Sequence, residues 1–167
     1  MAQQPFTDAI ALLKADHRTV EDLFEQFEKA GSAARKKALA HSICVELKIH
    51  TMIEEEIFYP AFRGKIDDDT LDEAYVEHDG AKLLINDIEA SGPETDYFDA
   101  KVKVLSEEIK HHVHEEEARG EGMFAQCRQT DVDLVELRDR MMERKAELKS
   151  MGDLPPAKPL TVHLVAA

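Results

Sequence analysis

The chain has 167 residues, 34% of them charged, with a formal net charge of -14. That length fits one domain able to bury roughly two thirds of its unfolded surface, and that charge repels phosphate backbones and anionic membrane surfaces, which argues against nucleic acid or lipid as partner. With only Cys44 and Cys127, no basic-then-apolar leader and no apolar run of spanning length, the expectation is a cytoplasmic protein without disulfides.

In chain order, Thr7-Asp8 caps a stripe of Leu13, His17, Val20, Phe24 and Phe27, which predicts an amphipathic helix over 7–30. Gly31-Ser32 breaks it, and Leu39, Ile43, Leu47, His50, Glu54 and Ile57 form a second stripe that stops near Pro60 and Gly64. Asp67 to Thr70 opens the third, with Leu71, Ala74, His78, Ala81, Ile85 and Ile88, ending at Ser91-Gly92-Pro93. The fourth starts near Thr95, carries Phe98, Val102, Leu105, Ile109, His112 and Glu116, and ends at Gly120 and Gly122.

Four helices of similar length with short connections predict an all-α fold, an up-down-up-down left-handed four-helix bundle over residues 1–125. A further helix from about Thr130 to Ser150, within 126–151, is expected to cap the bundle through Leu134, Leu137, Met141 and Leu148. In 152–167 three prolines oppose more helix, and Thr161 to Val165 reads equally as a docked extended tail or a mobile one.

Histidine followed four residues later by glutamate occurs at His50…Glu54 and again at His112…Glu116. Each pair follows a lone histidine, His17 at 33 residues before His50 and His78 at 34 before His112, so the second half repeats the first. On a helix, positions i and i+4 share a face and can present an imidazole nitrogen and a carboxylate oxygen to one point. All six residues fall at interior positions of their stripes. Two buried carboxylates need compensating positive charge, and the stripes hold no inward Arg or Lys at matching positions other than Lys82.

Metal ions would supply that charge. Four imidazoles and two carboxylates suit iron, manganese or zinc, and the lack of thiolates in the stripes argues against copper(I) or iron–sulfur chemistry. If Glu54 and Glu116 both bridge, each ion receives two nitrogens and two oxygens. About two positions per six-coordinate ion then remain for water, an oxo or hydroxo bridge, or an incoming small ligand. Asp16, Asp79, Glu55 and Glu115 are candidates for further negative charge nearby, against a reading as solvated acids, which is the expectation for Glu55 and Glu56. Tyr59 and Tyr75 are near enough in sequence to approach the site, while Cys44, His111 and His114 are out of phase with it.

Leu12-Leu-Lys-Ala-Asp-His17, Ile49-His-Thr-Met-Ile-Glu-Glu-Glu-Ile-Phe-Tyr-Pro60, Glu77-His78 and His111-His-Val-His-Glu-Glu-Glu117 together resemble a hemerythrin-like domain of the HHE cation-binding family. The likeness covers residue 7 to about 125. It implies that His17, His50, His78 and His112 ligate a di-iron centre that Glu54 and Glu116 bridge, and that the ligand is dioxygen, peroxide or a similar small molecule. It leaves three readings: a non-haem di-iron binding protein, a peroxide-consuming enzyme, and a regulatory or iron-storage module acting through a protein partner. Two features depart from the family pattern. Lys82 stands where respiratory hemerythrins have a second histidine after His78, and the segment Ala118 to Ala125 delays its phenylalanine and lacks proline.

Overall fold

The computed structural model describes residues 5–163 and Val165, and all regular structure among them is helical. Helix α1, Ala9–Lys29, starts at Asp8, whose carboxylate accepts the Ala11 N–H at 2.9 Å. Ser32 does the same for α2, Ala33–Ile53, accepting the Arg35 N–H at 3.2 Å. These caps satisfy amide groups that a helix start leaves without partners.

Beyond Ile53 the chain does not stop. It continues through a π-helical turn, Glu54–Phe58, into a short α3, Tyr59–Phe62, and Gly64 at φ 74° turns it away. The Tyr59 N–H reaches the Glu54 carbonyl, five residues back. Pro60, which has no N–H and whose ring crowds the carbonyl four residues earlier, follows this widened turn.

Helix α4, Asp68–Ala90, is capped by Asp67. Helix α5, Phe98–Glu117, begins three residues after the expected Thr95, because Thr95 closes a turn onto the Gly92 carbonyl and Tyr97 adopts a left-handed φ of 66°. Short α6, Met123–Cys127, leads to α7, Leu134–Ser150, capped by Asp133 rather than by Thr130-Asp131. Helix α7 lies against α1, α2 and the π-helical turn.

The bundle core is two apolar clusters. One contains Leu13, Ile53, Phe58, Ala74 and Phe124, together with Leu137 and Met141 of α7. The other contains Val20, Leu47, Ala81, Ile85 and Ile109. Helix α1 passes from the first to the second between Leu13 and Val20, α2 returns between Leu47 and Ile53, and α4 crosses again between Ala74 and Ala81. Helices α1, α2 and α4 therefore alternate in direction, each with its histidine near the seam.

Residues 152–163 form no helix, but the segment from Leu154 to Val162 is docked. The Asn86 side chain exchanges two hydrogen bonds with the Ala157 backbone, both 2.8 Å, and Asp79 receives N–H groups from Leu160 and Val162 at 2.9 Å. Of the two readings for the tail, docking holds as far as Val162. Leu164, Ala166 and Ala167 lie outside the described residues. No described helix is long and apolar enough to cross a membrane.

Candidate metal centre

At the seam the six side chains singled out in the sequence come together. His17, His50, His78, His112, Glu54 and Glu116 are each no more than 5% exposed. Donor atoms of His17, His50, Glu54 and Glu116 lie within 4.8 Å of one another, and those of Glu54, His78 and His112 form a second such group.

The rings are paired Nε2 to Nε2, His17 with His50 at 3.2 Å and His78 with His112 at 3.1 Å. Each carboxylate spans the two pairs. Glu54 Oε2 is 3.2 Å from His50 Nε2 and 3.2 Å from His78 Nε2. Glu116 lies 3.2 Å from His17 Nε2 and 3.5 Å from His112 Nε2. Glu54 Oε1 and Glu116 Oε2 are buried without a hydrogen-bond partner.

The far side of each ring faces an acid. His17 Nδ1 is 2.6 Å from Glu117, His78 Nδ1 3.0 Å from Glu55, His112 Nδ1 2.5 Å from Glu77, and His50 Nδ1 3.5 Å from Asp16. A carboxylate at Nδ1 holds a proton there, so that in the neutral ring Nε2 is the nitrogen that offers a lone pair inward. Facing lone pairs and orphaned carboxylate oxygens are unfavourable in a dry core unless a cation or a proton lies between them. The donor set therefore fits two cations, each between one pair of rings.

The electrostatics carry the same mark. Burial, reinforced by Glu116, pushes the Glu54 carboxyl up to about 7. Burial acts on Glu116 too, but His112 and His17 outweigh it and hold that carboxyl well below the usual range. Burial would lower His17, yet Glu116 and Glu117 raise it to about 10. Charge that a cation would neutralise is here redistributed among protons.

Tyr59 is fully buried at the middle of the cluster, its hydroxyl donating to Glu116 Oε1 at 2.8 Å and lying 3.2 Å from both Glu54 Oε2 and His78 Nε2. Helical period alone would bring Phe58 to the face of His50 and Glu54. The π-helical turn inserts one residue and brings Tyr59 instead. Tyr75 packs on the Tyr59 ring and donates to the Glu55 carbonyl at 3.4 Å.

The remaining acids separate clearly. Glu55 is held against His78 and Lys82 rather than solvated, whereas Glu56 pairs with Arg144 on the surface. Asp79 turns from the cluster to the tail, and Glu115 pairs with exposed His111 at 3.3 Å. Glu77 and Glu117, absent from the sequence-based set, take two of the four Nδ1 positions. Cys44 lies in the second apolar cluster, where burial pushes its thiol up to about 12.

The delayed phenylalanine is restored in space. A turn through Gly120, at φ 82°, and Gly122 brings Phe124 to stack on the His17 ring, centroids 5.9 Å apart and planes 9° from parallel. Gly122 is required by contact, since a Cβ there would stand 2.5 Å from the Ala118 carbonyl oxygen.

A family model described as Hemerythrin HHE cation binding domain matches residues 8–124. A crystal structure of a Hemerythrin HHE cation binding domain-containing protein from Mycobacterium kansasii superimposes with a TM-score of 0.72 at 19% identity, covering 87% of this chain and 90% of that one. Over 107 residues the chain is 27% identical to a protein described as a DNA nickase from Nostoc sp. (strain PCC 7120 / SAG 25.82 / UTEX 2576). That similarity takes in 64% of this chain and 30% of the relative, so the chain spans about a third of that relative's length.

Proposed function

Because the chain belongs to the Hemerythrin HHE cation binding domain family, we propose that His17, His50, His78 and His112 ligate, and Glu54 and Glu116 bridge, two iron ions that react with dioxygen, peroxide or a ligand of similar size. The observation that carries this reading is the interlock of the donors. Each glutamate reaches one ring of each pair, as a bridge between two ions must. Zinc or manganese would accept the same donors, zinc without redox chemistry, and iron is the ion this reading assigns.

Bound iron would supply electrons to a small oxidant. The chain's own groups supply the rest. The acids at Nδ1 fix the ring tautomers, and Tyr59 holds a proton 2.8 Å from Glu116 Oε1. Against the four rings lies a small cavity of about 10 Å³, lined by Val20, Leu47, Ile109 and Val113 and also by Asp16 and Thr51. Space on that scale admits a molecule no larger than a few atoms.

Metal analysis of the purified protein is the first test, with two ions per chain expected. Anaerobic loading with ferrous iron followed by air should then produce near-ultraviolet and visible charge-transfer bands. A silent spectrum from a fully loaded protein would refute the redox reading. Catalytic loss of hydrogen peroxide that disappears in Glu54→Ala would identify turnover rather than binding alone. Metal-dependent capture of a protein partner without either chemistry would select a regulatory or storage role. The nicking activity of the Nostoc relative is not carried over, since the net charge of -14 opposes phosphate binding.

A further inference from the structure

The segment 154–162 lies outside the stretch matched to the family and forms a strap across α2 and α4. Its contacts converge on two charged residues of α4 that are almost fully buried, Asp79 and Lys82. Asp79 accepts the backbone N–H groups of Leu160 and Val162 at 2.9 Å and the Thr161 hydroxyl at 2.7 Å. Burial alone would raise its carboxyl, yet the Thr161 hydroxyl and the strap N–H groups hold it well below the usual range.

Lys82 carries the connection inward. Its ammonium donates to the Lys158 carbonyl at 3.1 Å and to Asp79 at 3.3 Å, and pairs with Glu55 Oε1 at 2.8 Å. The same Glu55 oxygen lies 3.0 Å from His78 Nδ1. Four links thus join an exposed C-terminal segment to one ring of the candidate centre. Pro155, Pro156 and Ala157 also roof a cavity of about 250 Å³ whose floor includes Glu55 and Lys82. Lifting the roof would admit water to Glu55, where it competes for both hydrogen bonds.

We propose that the strap is a positioning element of the metal centre: by fixing Lys82 it holds Glu55 on His78 Nδ1 and sets how tightly the ion between His78 and His112 is retained. This rests on the two-ion reading above. The acids on the other three rings, Asp16, Glu77 and Glu117, belong to the bundle, so the effect falls on one ion of the pair. A carboxylate on a ligating imidazole fixes its orientation and raises its basicity, and loss of such a partner costs 10- to 100-fold in metal affinity.

The test uses full-length wild type, Lys82→Met and Thr161→Pro, each loaded anaerobically with two equivalents of ferrous iron, with release followed by a chromogenic ferrous chelator. Lys82→Met cuts the link to Glu55. Thr161→Pro removes an N–H and a hydroxyl from the Asp79 cluster at an exposed strap residue and leaves the bundle untouched. In both variants one iron of the two should leave about 10-fold faster or more than in wild type, the other at the wild-type rate, with helix content unchanged. Unchanged release in Thr161→Pro would overturn the proposal, as would equal acceleration of both ions with a lower melting temperature, the mark of general loosening. If Lys82→Met does not fold, Thr161→Pro alone decides. Wild type that takes up fewer than two irons would refute the two-ion reading itself, a separate result.

Discussion

His78 Nε2 lies 3.1 Å from His112 Nε2, while the opposite nitrogens of the two rings face Glu55 and Glu77. Two ring nitrogens facing each other in this way favour a cation between them, and anything that binds the folded chain alone stabilises it. At free metal about 100-fold above Kd, each ion should add about 2.7 kcal/mol, which for a chain of this size raises Tm by roughly 5 to 10 °C. Thermal unfolding with chelator and with two equivalents of ferrous iron measures it. Identical curves would count against a metal centre.

Glu77→Gln and Glu117→Gln each remove the carboxylate from a ring nitrogen, at His112 and His17 respectively. Metal affinity should fall by about 10- to 100-fold in each. Glu115→Gln, which alters only the exposed pair with His111, should leave it unchanged. Competition against a chelator of known affinity separates the three.

Gly122→Ala places a Cβ against backbone atoms of Ala118 and Glu115 that no rotamer change can clear. The expected cost is about 1 to 3 kcal/mol, and the shift of α6 should take Phe124 off the His17 ring. Urea unfolding reads the first effect. A change in the iron charge-transfer bands reads the second.

Asp8 both caps α1 and pairs with Arg128 at 2.9 Å. Partial burial would raise its carboxyl, but the Arg128 guanidinium and the Ala11 N–H lower it below 3.8. A depressed folded value means that the stabilisation is complete above about pH 4 and is lost as the pH falls through the folded value. Asp8→Ala should cost about 1 kcal/mol at pH 7. Asp8→Asn keeps the cap and should cost less, and its deficit should shrink as pH falls below about 4. Urea titrations at several pH values would show a constant deficit if this assignment is wrong.

The six inward donors were legible because periodicity within one helix reports which face is buried, and the His…Glu repeat marks the two halves. Asp16 and Glu55 were also named as nearby acids. What escaped was set between helices. Glu77 precedes His78 in the chain but serves His112, and Glu117 follows Glu116 but serves His17. Those pairings depend on the register of one helix against another, which no single stripe contains. Glu55 read as solvated because its burial comes from Lys82 and the strap, and the strap itself had no periodicity to betray it. Asp79 follows His78 in the chain, but its carboxylate turns outward to Thr161.

The widened turn at Glu54–Phe58 also makes the identity of the central aromatic depend on how the helix is wound. Regular α-helical winding of the same residues would swing the Phe58 phenyl ring to where the Tyr59 phenol now sits, whereas removing one residue of the turn would let an ordinary helix carry the phenol there. The hydroxyl at the centre of the cluster is therefore held by the winding of this turn as much as by the residue that bears it.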